Sequence, residues 1–317
     1  MELSVVSLFA GIGGICLGFQ QARFKILWAN EIDHAACLTY RHNLGSDHLV
    51  EGDIRQISES TIPHSNVLVA GFPCQSFSTA GAGRGFQDSR GILFFEVVRI
   101  VSAVQPQAIF LENVENLMEH DNGRTFQTVY ASLVELGYIV HYRAMPTHEY
   151  SNIPQTRRRI YIVAFRNISA SRHFQFPETV PLTIRAMDWI EYDVKQPDIY
   201  YYNNNSSFER HIRQSVTDES CFYRIFNGSI TKLQNHKCPT LTASMNTPRN
   251  AAVLRDRYGV RRITLREALR FQGFPSGYYF PRTISIQQAY HQIGNSVTVP
   301  VVRRIAENIR VALIDSN

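Results

Sequence analysis

Residues 4–14, SVVSLFAGIGG, join a short apolar run to a turn that holds three glycines. An apolar run of this length predicts a buried strand, and glycines directly after a strand let a ligand approach the start of the next helix. A dinucleotide-binding turn would read GxGxxG, but Cys16 stands where the third glycine would be. The stretch therefore predicts the first strand and helix of an α/β sheet, with a ligand site that matches a pyrophosphate poorly.

The chain as far as residue 170 alternates short apolar runs with amphipathic stretches, which is the pattern of a parallel α/β sheet. After the first strand at 4–9, we predict strands at 25–31, within 48–54, and at 66–72, 107–114 and 158–165. We predict helices from the glycine turn to about residue 22 and at 34–44, 92–104 and 125–138. These elements together predict a Rossmann-like sheet with helices between its strands.

Beyond residue 170 the periodicity is lost. Prolines and an aromatic and asparagine cluster, IYYYNNNSSF at 199–208, predict a loop-rich second domain or a large insertion. TLREALRFQGF at 264–274 predicts a helix. The segment from residue 287 predicts a turn and a strand end before a terminal amphipathic helix. We therefore expect three parts: a domain at 1–170, a smaller one at 171–285, and a segment at 286–317 that returns to the first.

The composition excludes several classes of protein. A chain of 317 residues exceeds the usual single domain, and no apolar run approaches the roughly 18 residues that a membrane-spanning helix needs. The N-terminus lacks the basic start of a signal peptide. The five cysteines form no CxxC pair, so neither a disulfide framework nor a metal site is expected. We expect a soluble protein of the cytoplasm.

Basic residues are concentrated in one stretch. Residues 172–282 hold 16 Lys and Arg against 10 Asp and Glu, whereas the remainder of the chain holds 16 against 17. Arginine accounts for 28 of the 32 basic residues, and its guanidinium suits bidentate contacts with phosphate and guanine. Taken alone, this composition is explained about equally well by an ordinary solvated surface. The uneven distribution of charge along the chain suggests a polyanionic partner without naming it.

Two carboxylates follow the next strands at the edge that holds the glycine turn. Glu31 ends the second predicted strand, 20 residues after Gly11, where a carboxylate can accept both hydroxyls of a ribose. Asp53 follows the third strand and can accept from an adenine amino group. Together they suit an adenosine ligand without a diphosphate, which favours S-adenosylmethionine (SAM) over NAD. A nicotinamide dehydrogenase remains the alternative, although no His or Lys is placed to handle a hydride.

A thiol and a carboxylate follow the fourth and fifth strands. Cys74 comes after NVLVAGF and before a stretch rich in glycine and serine, QSFSTAGAGRGFQDSRG, which is typical of a loop that closes over a site. Glu112 follows the apolar run of the fifth strand, where burial of a carboxylate is costly unless it is used. A thiol and a carboxylate beside a methyl donor predict nucleophilic activation of an electron-poor ring such as cytosine. An inert buried cysteine is the alternative.

The chain resembles the bacterial cytosine-C5 DNA methyltransferases of restriction–modification systems. Eight blocks that typify the family occur in its order and approximate spacing: FAGIGG, NEID, GDI, GFPCQSFS, ENV, QTRRRIYIVAF, RRITLREALRFQGFP and QIGNSV. The resemblance covers nearly everything outside residues 171–237. Ser7 departs from the family, in which an acidic residue is frequent at this position.

The resemblance implies a role for each matching residue. Cys74 would attack C6 of the cytosine, Glu112 would hold and protonate N3, and Arg157 and Arg159 would lie near the flipped base. The SAM pocket would be lined by Phe9, Gly11, Gly13, Glu31, Asp53, Pro73 and Asn295. DNA would be contacted by Gln75, Ser78 and Arg90 of the catalytic loop and by Thr240 and Leu241 of the target-recognition domain.

The resemblance also implies the cofactor and the partners. SAM would be the methyl donor and S-adenosylhomocysteine its product, without a metal, and double-stranded DNA the substrate of a monomeric enzyme in the bacterial cytoplasm. A cognate restriction endonuclease acting on the same site is a further implied partner. Two alternatives stay open, namely a tRNA methyltransferase on the same scaffold and a catalytically silent DNA-binding relative. Phe72, where the tRNA branch tends to carry proline, favours DNA, and intact Cys74 and Glu112 favour an enzyme.

Overall fold

The computed structural model describes residues 2–72, 92–234 and 236–316. The chain divides into two compact units, each built from separate stretches. Unit 1 comprises Met1–Met145, Arg158–Glu178 and Val299–Asn317, and unit 2 comprises Pro146–Arg157 and Thr179–Thr298. The functional domain bounds expected at 1–170, 171–285 and 286–317 stay a prediction.

The described residues form eleven strands and ten α-helices. The strands are β1 Ser4–Leu8, β2 Lys25–Glu31, β3 Leu49–Glu51, β4 Val67–Ala70, β5 Ala108–Val114, β6 Ile139–Pro146, β7 Arg158–Phe165, β8 Tyr223–Phe226, β9 Ser229–Lys232, β10 Ala251–Asp256 and β11 Gly259–Arg262. The helices are α1 Gly14–Gln21, α2 His34–Leu44, α3 Ile92–Val104, α4 Arg124–Glu135, α5 Thr147–Tyr150, α6 Ile168–His173, α7 Ser207–Ser215, α8 Leu265–Phe271, α9 Ile286–Asn295 and α10 Val299–Asp315.

Unit 1 is built on a seven-stranded sheet in the order β3-β2-β1-β4-β5-β7-β6. Neighbouring strands from β3 through β5 pair in parallel. The chain winds from β1 to β3 in one direction and then resumes with β4 on the other side of β1. Ligands of doubly wound sheets bind beyond the carboxyl ends of the strands at such a switch point. The Rossmann-like fold class predicted from the sequence is confirmed, and the glycine turn and the segment after β4 both begin at the switch point.

Alternate residues of the central strands face two helical layers. Ile109 and Leu111 of β5 pack with Phe94 and Val101 of α3 in one core cluster. Phe110, which points to the opposite face, lies edge-on to Phe19 of α1, with ring centroids 5.3 Å apart. Because both faces are covered, the strands are apolar throughout, which explains their continuous hydrophobic runs.

Helix α10 joins the C-terminal stretch to unit 1. Gly18 of α1 has no side chain and packs directly against α10, where an added Cβ would lie 2.6 Å from Cγ1 of Val302. Val302 and its neighbour Val301 are fully buried. This close approach of two helices requires glycine at position 18.

Two features of unit 1 differ from the prediction. Strand β6 was not predicted, because as an edge strand it buries only Met145 and Pro146 and exposes much of the remainder, which leaves no clear alternation. Strand β7 runs antiparallel to β5, so the sheet is not wholly parallel. Strand direction depends on how the chain returns to the sheet, which apolar periodicity does not record.

Unit 2 contains a four-stranded antiparallel sheet in the order β11-β10-β8-β9. Tyr223 and Ile225 of β8 pack with Val253 of β10 and Ile212 of α7 in the core of this unit. The loop-rich second domain predicted beyond residue 170 agrees with the long irregular stretches between these short elements. The individual strands were not predicted, because strands of four to six residues give a weak periodic signal.

The segment from residue 287 was also predicted wrongly. It forms helix α9 instead of a turn and strand end, and α9 starts with a capping box in which Ser285 and Gln288 satisfy each other's backbone N–H groups.

Across the residues that the structure describes, no helix combines the length and the apolar character that crossing a bilayer requires.

Candidate active site

The turn after β1 is shaped by three residues with left-handed backbone angles. Phe9, Gly11 and Gly13 have φ values of 53°, 55° and 83°. The Gly11 N–H donates to Oε2 of Glu31 at 2.8 Å, so the ends of β1 and β2 are joined through this carboxylate. An added Cβ on Gly11 would meet nothing within 4 Å, which leaves open space directly above the turn.

Glu31 is held in place by backbone donors. Its second oxygen accepts from the N–H groups of Ile32 and Asp33, both at 2.8 Å. Burial raises the pKa of Glu31, and the hydrogen bonds from these backbone groups offset that effect only in part. Oε2, which accepts from the Gly11 N–H, keeps acceptor capacity for a further donor, such as a ribose hydroxyl.

Asp53 and Ile32 add the other groups that an adenosine needs. Asp53 follows β3, caps the short 3-10 turn that starts at Ile54, and forms an ion pair with Arg55. The hydrogen bond from Arg55 is the main reason that the pKa of Asp53 lies below its usual value. Ile32 is 61% exposed beside Glu31 and offers an apolar surface for an adenine ring. The sequence reasoning missed Ile32, although an apolar residue between two acidic ones in NEID signals it. These acceptors and this apolar surface fit SAM.

A second group of polar residues lies at the ends of β5 and β7. Nε of Arg159 lies 3.0 Å from Oε1 of Glu112, and both side chains are largely buried. Oε2 of Glu112 faces Gly71, where an added Cβ would stand 3.8 Å away. The carboxyl group therefore lies beside the end of β4, with an arginine as its ionic partner.

Asn113 holds the chain that leads into the predicted nucleophile. Its Nδ2 donates to the carbonyl oxygen of Phe72 at 3.0 Å in a buried hydrogen bond. Phe72 is the last described residue before Cys74, so Asn113 fixes the chain where it leaves β4. This residue was also missed, and its position in ENV directly after Glu112 was the available signal.

Five of the predicted site residues lie outside the described residues: Pro73, Cys74, Gln75, Ser78 and Arg90. The described cysteines, Cys16, Cys37, Cys221 and Cys238, are all buried. Burial is the main cause that raises the pKa of each of these thiols, that of Cys37 to about 12. Among the described residues, no group of three or more His, Cys, Asp and Glu could hold a metal ion.

The remaining predicted residues lie in unit 2. Arg157 is only 2% exposed, and its guanidinium donates to the carbonyl oxygens of Leu241, Gly294 and Ser296. The structure therefore separates the two predicted arginines: Arg159 pairs with Glu112 in unit 1, whereas Arg157 is enclosed by backbone carbonyls in unit 2. A buried guanidinium needs acceptors for its donors, and these carbonyls supply them for Nη1 and Nη2.

The structure brings Thr240 and Leu241 close to the QTR sequence, within the same unit. Oγ1 of Thr240 lies 3.3 Å from Oγ1 of Thr156, and the Leu241 side chain is buried. The predicted contact of Leu241 with DNA is therefore not available to its side chain. Asn295 is exposed after Gly294 and lies within hydrogen-bond distance of His291, at 3.0 Å.

Comparisons with known proteins agree with this fold. Residues 3–311 match the model of the C-5 cytosine-specific DNA methylase family. The type II methyltransferase M.Bsp6I of Bacillus sp. (strain RFL6) is 43% identical over 98% of this chain and 100% of that protein. M.HhaI of Haemophilus parahaemolyticus is 34% identical over 98% of this chain and 95% of that protein. Among solved structures, a mutant of Spodoptera frugiperda DNMT2 is similar in fold, with a TM-score of 0.75, 18% identity, and coverage of 98% of this chain and 100% of that one.

The fold and the arrangement at the strand ends define a methyltransferase of the SAM-dependent, Rossmann-like class. The chain belongs to the C-5 cytosine-specific DNA methylase family, so it is a DNA cytosine-5 methyltransferase. The resemblance and the enzyme class expected from the sequence are thus confirmed.

Proposed function

We propose that this enzyme transfers a methyl group from SAM to C5 of a cytosine that is flipped out of double-stranded DNA at a short specific sequence. The observation that carries this proposal is the Glu112–Arg159 ion pair beside Gly71, two residues before Pro73 and three before Cys74. An acid with an ionic partner beside the chain that leads to a cysteine suits the activation of a cytosine ring.

The chemistry follows from the low reactivity of cytosine C5. The Cys74 thiolate bonds to C6 while Glu112 protonates N3, and the displaced electron pair raises the nucleophilicity of C5. Bound SAM supplies an electrophilic methyl group for that carbon. The C5 proton then passes to water, the Sγ–C6 bond breaks, N3 loses its added proton, and the thiolate is restored. Arg159 would hold Glu112 in place and contact O2 of the base.

The cofactor would lie over the glycine turn. Glu31 would accept from the ribose hydroxyls, Asp53 from the adenine amino group, and Ile32 would cover a ring face. The remainder of the pocket would be formed by Phe9, Gly11, Gly13, Pro73 and Asn295. Glu31 also accepts a hydrogen bond from the Gly11 N–H. A ligand that binds Glu31 would therefore also affect the position of the glycine turn.

DNA binding is assigned to the stretch at 171–285 and to the segment that follows β4 in the sequence. The extrusion of a base costs a few kcal/mol of unstacking, which contacts elsewhere on the duplex must offset. Gln75, Ser78 and Arg90 would contact DNA near the flipped base, and Thr240 and Leu241 would belong to the segment that recognises the target. The exposed arginines between 172 and 282 would contribute phosphate and guanine contacts.

In the cell the enzyme would act as a monomer in the bacterial cytoplasm and methylate each strand of its site in turn. Its modification would protect DNA from a restriction endonuclease that cuts the same sequence. Sedimentation of the purified protein checks the oligomeric state, and a stable dimer would contradict this part of the proposal.

The test is expression in a host without cytosine methylation, followed by conversion sequencing of the genome. We expect 5-methylcytosine at one short recurring sequence, and none with Cys74→Ala. Cys221→Ala is the matched control, because this thiol is buried in the core of unit 2 and should leave the methylation pattern unchanged. A plasmid from the same cells should resist an endonuclease of the mapped specificity.

Other outcomes separate the alternatives. Unmethylated DNA and methylated tRNA from the same cells would overturn the choice of substrate in favour of a tRNA methyltransferase. Specific duplex binding by wild type and Cys74→Ala alike, with no methylation of DNA or RNA, would identify a silent DNA-binding relative.

A further inference from the structure

Residues 240–246, TLTASMN, form a segment whose backbone is fixed by other parts of unit 2, and this stretch is here named the anchored segment. The Leu241 N–H donates to Oε1 of Gln155 at 3.3 Å, and the Leu241 carbonyl accepts from Nη1 of Arg157 at 2.9 Å. Both polar groups of one buried backbone position are therefore held by two side chains of the QTR sequence. The Met245 carbonyl accepts from Nη2 of Arg262 at 2.6 Å in the same way.

Gln155 and Arg157 are themselves fixed by further buried contacts. Nε2 of Gln155 donates to the carbonyl oxygen of Phe271 at 2.6 Å, at the end of α8. Arg157 also donates to the Gly294 carbonyl at 3.3 Å, at the end of α9. The two side chains thus connect the anchored segment to the ends of α8 and α9. The position of the segment's backbone therefore depends on the positions of these two helices.

Gly294 brings α9 directly against the anchored segment. An added Cβ at this position would overlap the backbone of Thr242 and Ala243. A contact with backbone atoms cannot be relieved by the rotation of a side chain, so a larger residue would displace the segment. The absence of a side chain at 294 sets how closely the segment approaches α9.

The side chains of the anchored segment are less constrained than its backbone. Thr242 and Ser244 are exposed, and their hydroxyl oxygens lie 2.9 Å apart. The fixing contacts act on carbonyl and N–H groups or on the bare face of Gly294, and none of these contacts involves the exposed hydroxyl groups. Residues at 242 and 244 can therefore vary without loss of the contacts that hold the backbone.

We infer that Gln155, Arg157 and Gly294 are positioning residues that fix the register of the anchored segment against its DNA target, and that Thr242 and Ser244 are presented for contact with that target. This inference rests on the proposed function. It assigns Arg157 to target selection instead of contact with the flipped base. Base-pair discrimination requires donors and acceptors in fixed positions, which a backbone held at several points supplies.

The test compares Gly294→Ala with Gly277→Ala in the full-length enzyme, because an added Cβ at Gly277 meets open space. The measured quantity is the ratio of kcat/KM for the mapped site to kcat/KM for a duplex with one base pair changed. We expect Gly294→Ala to lower this ratio about 10-fold or more, since one recognised base pair contributes roughly a factor of 10 or greater. The Kd for SAM should stay within about two-fold, and Gly277→Ala should retain the wild-type ratio.

A second pair tests the polar contacts. Arg157→Lys keeps the charge but cannot reach the same set of carbonyls, whereas Arg158→Lys alters an exposed arginine that pairs with Glu115. We expect Arg157→Lys to lower the ratio of kcat/KM between the mapped and the altered duplex, and Arg158→Lys to leave it unchanged. If Gly294→Ala does not fold, Arg157→Lys alone tests the inference. An unchanged ratio in the folded variants, even with slower methylation of every duplex, would overturn the inference. Absence of methylation by the wild-type enzyme would instead refute the proposed function.

Discussion

The Glu112 carboxyl group illustrates how a single side chain is prepared for its proposed role. Arg159 supplies its ionic partner, and the neighbouring Asn113 holds the carbonyl of Phe72. Two successive residues of β5 therefore have different roles. Glu112 would act on the cytosine, whereas Asn113 holds the backbone that leads to Cys74.

Glu112→Gln should lower kcat by about 100-fold or more, because an amide cannot supply the proton that N3 needs. Glu115→Gln is the matched control, since Glu115 pairs with the exposed Arg158 and kcat should stay near the wild-type value. Steady-state methylation of the mapped duplex at saturating SAM and DNA measures kcat, and the Kd for SAM should not change. A Glu112→Gln enzyme with more than a tenth of the wild-type kcat would contradict the role of this residue.

Thiol reactivity should single out Cys74. The pKa of Cys37 is raised to about 12 by burial, and burial also raises the pKa values of Cys16, Cys221 and Cys238. A thiol stays protonated until the pH approaches its pKa, and only the thiolate reacts, so these four should resist alkylation at pH 8.

Peptide mapping after brief treatment with iodoacetamide at pH 8 checks this expectation. In the folded wild-type enzyme we expect modification of Cys74 and of no other cysteine. Folded Cys74→Ala should not be modified, and unfolded wild type should be modified at all five cysteines. Rapid labelling of any of the four buried thiols in the native protein would disprove it.

At the scale of elements, the contact between α1 and α10 joins segments from opposite ends of the chain. Gly18→Ala should lower the free energy of unfolding by about 1–3 kcal/mol, because the new Cβ would crowd Val302 and the backbone nitrogen of Arg303. The stability is measured by urea unfolding without ligand.

Val302→Ala provides the matching half of a double-mutant cycle. It removes Cγ1 of Val302, the atom that the new Cβ would approach most closely, so Gly18→Ala should cost less in its presence, with a coupling energy of about 1 kcal/mol or more. Strictly additive effects of the two substitutions would show that this helix contact does not set the requirement for glycine.

At the scale of the whole molecule, the two units have different sources of stability. Unit 1 has an extensive apolar core, whereas unit 2 encloses an ionic cluster. In that cluster Arg261, which is fully buried, pairs with Asp256 at 2.6 Å and with Glu267 at 2.8 Å. Tyr201 adds a hydrogen bond to Asp256 at 2.9 Å.

Arg261→Met should destabilise unit 2 by about 3–5 kcal/mol, because it leaves two buried carboxylates without their partner. Arg257→Met is the control, since its exposed pair with Asp193 should contribute less than about 1 kcal/mol. Fluorescence can follow each unit separately, because the two tryptophans are Trp28 in unit 1 and Trp189 in unit 2. In a Trp28→Phe background, equal unfolding midpoints for the two variants would refute this prediction.

SAM should stabilise the protein through unit 1. At 100 times its Kd, SAM should raise the free energy of unfolding followed by Trp28, in a Trp189→Phe background, by about 2.7 kcal/mol. Glu31→Gln should reduce this gain at the same SAM concentration, because the amide has fewer acceptor sites for the ribose hydroxyls and the Gly11 N–H. The same gain in both proteins would contradict the assignment of Glu31.

The sequence by itself determined the features that are local along the chain. Apolar runs and their spacing predicted β1, β2, β4, β5 and β7, and residue types at the strand ends predicted the carboxylates Glu31 and Glu112. Local patterns suffice there because a strand buried on both faces is apolar throughout and ligand groups follow such strands directly. The family and the Rossmann-like class therefore follow from the sequence.

Only the tertiary structure decided which distant groups meet. Gln155 and Leu241 are 86 residues apart, and Arg157 and Gly294 are 137 residues apart, so no local pattern joins them. Two arginines with one residue between them have different partners, because the chain passes from unit 2 to unit 1 after Arg157. The edge strand β6 and the antiparallel direction of β7 likewise depend on how the chain returns to the sheet. Periodicity records burial along a segment, whereas these features depend on contacts between segments.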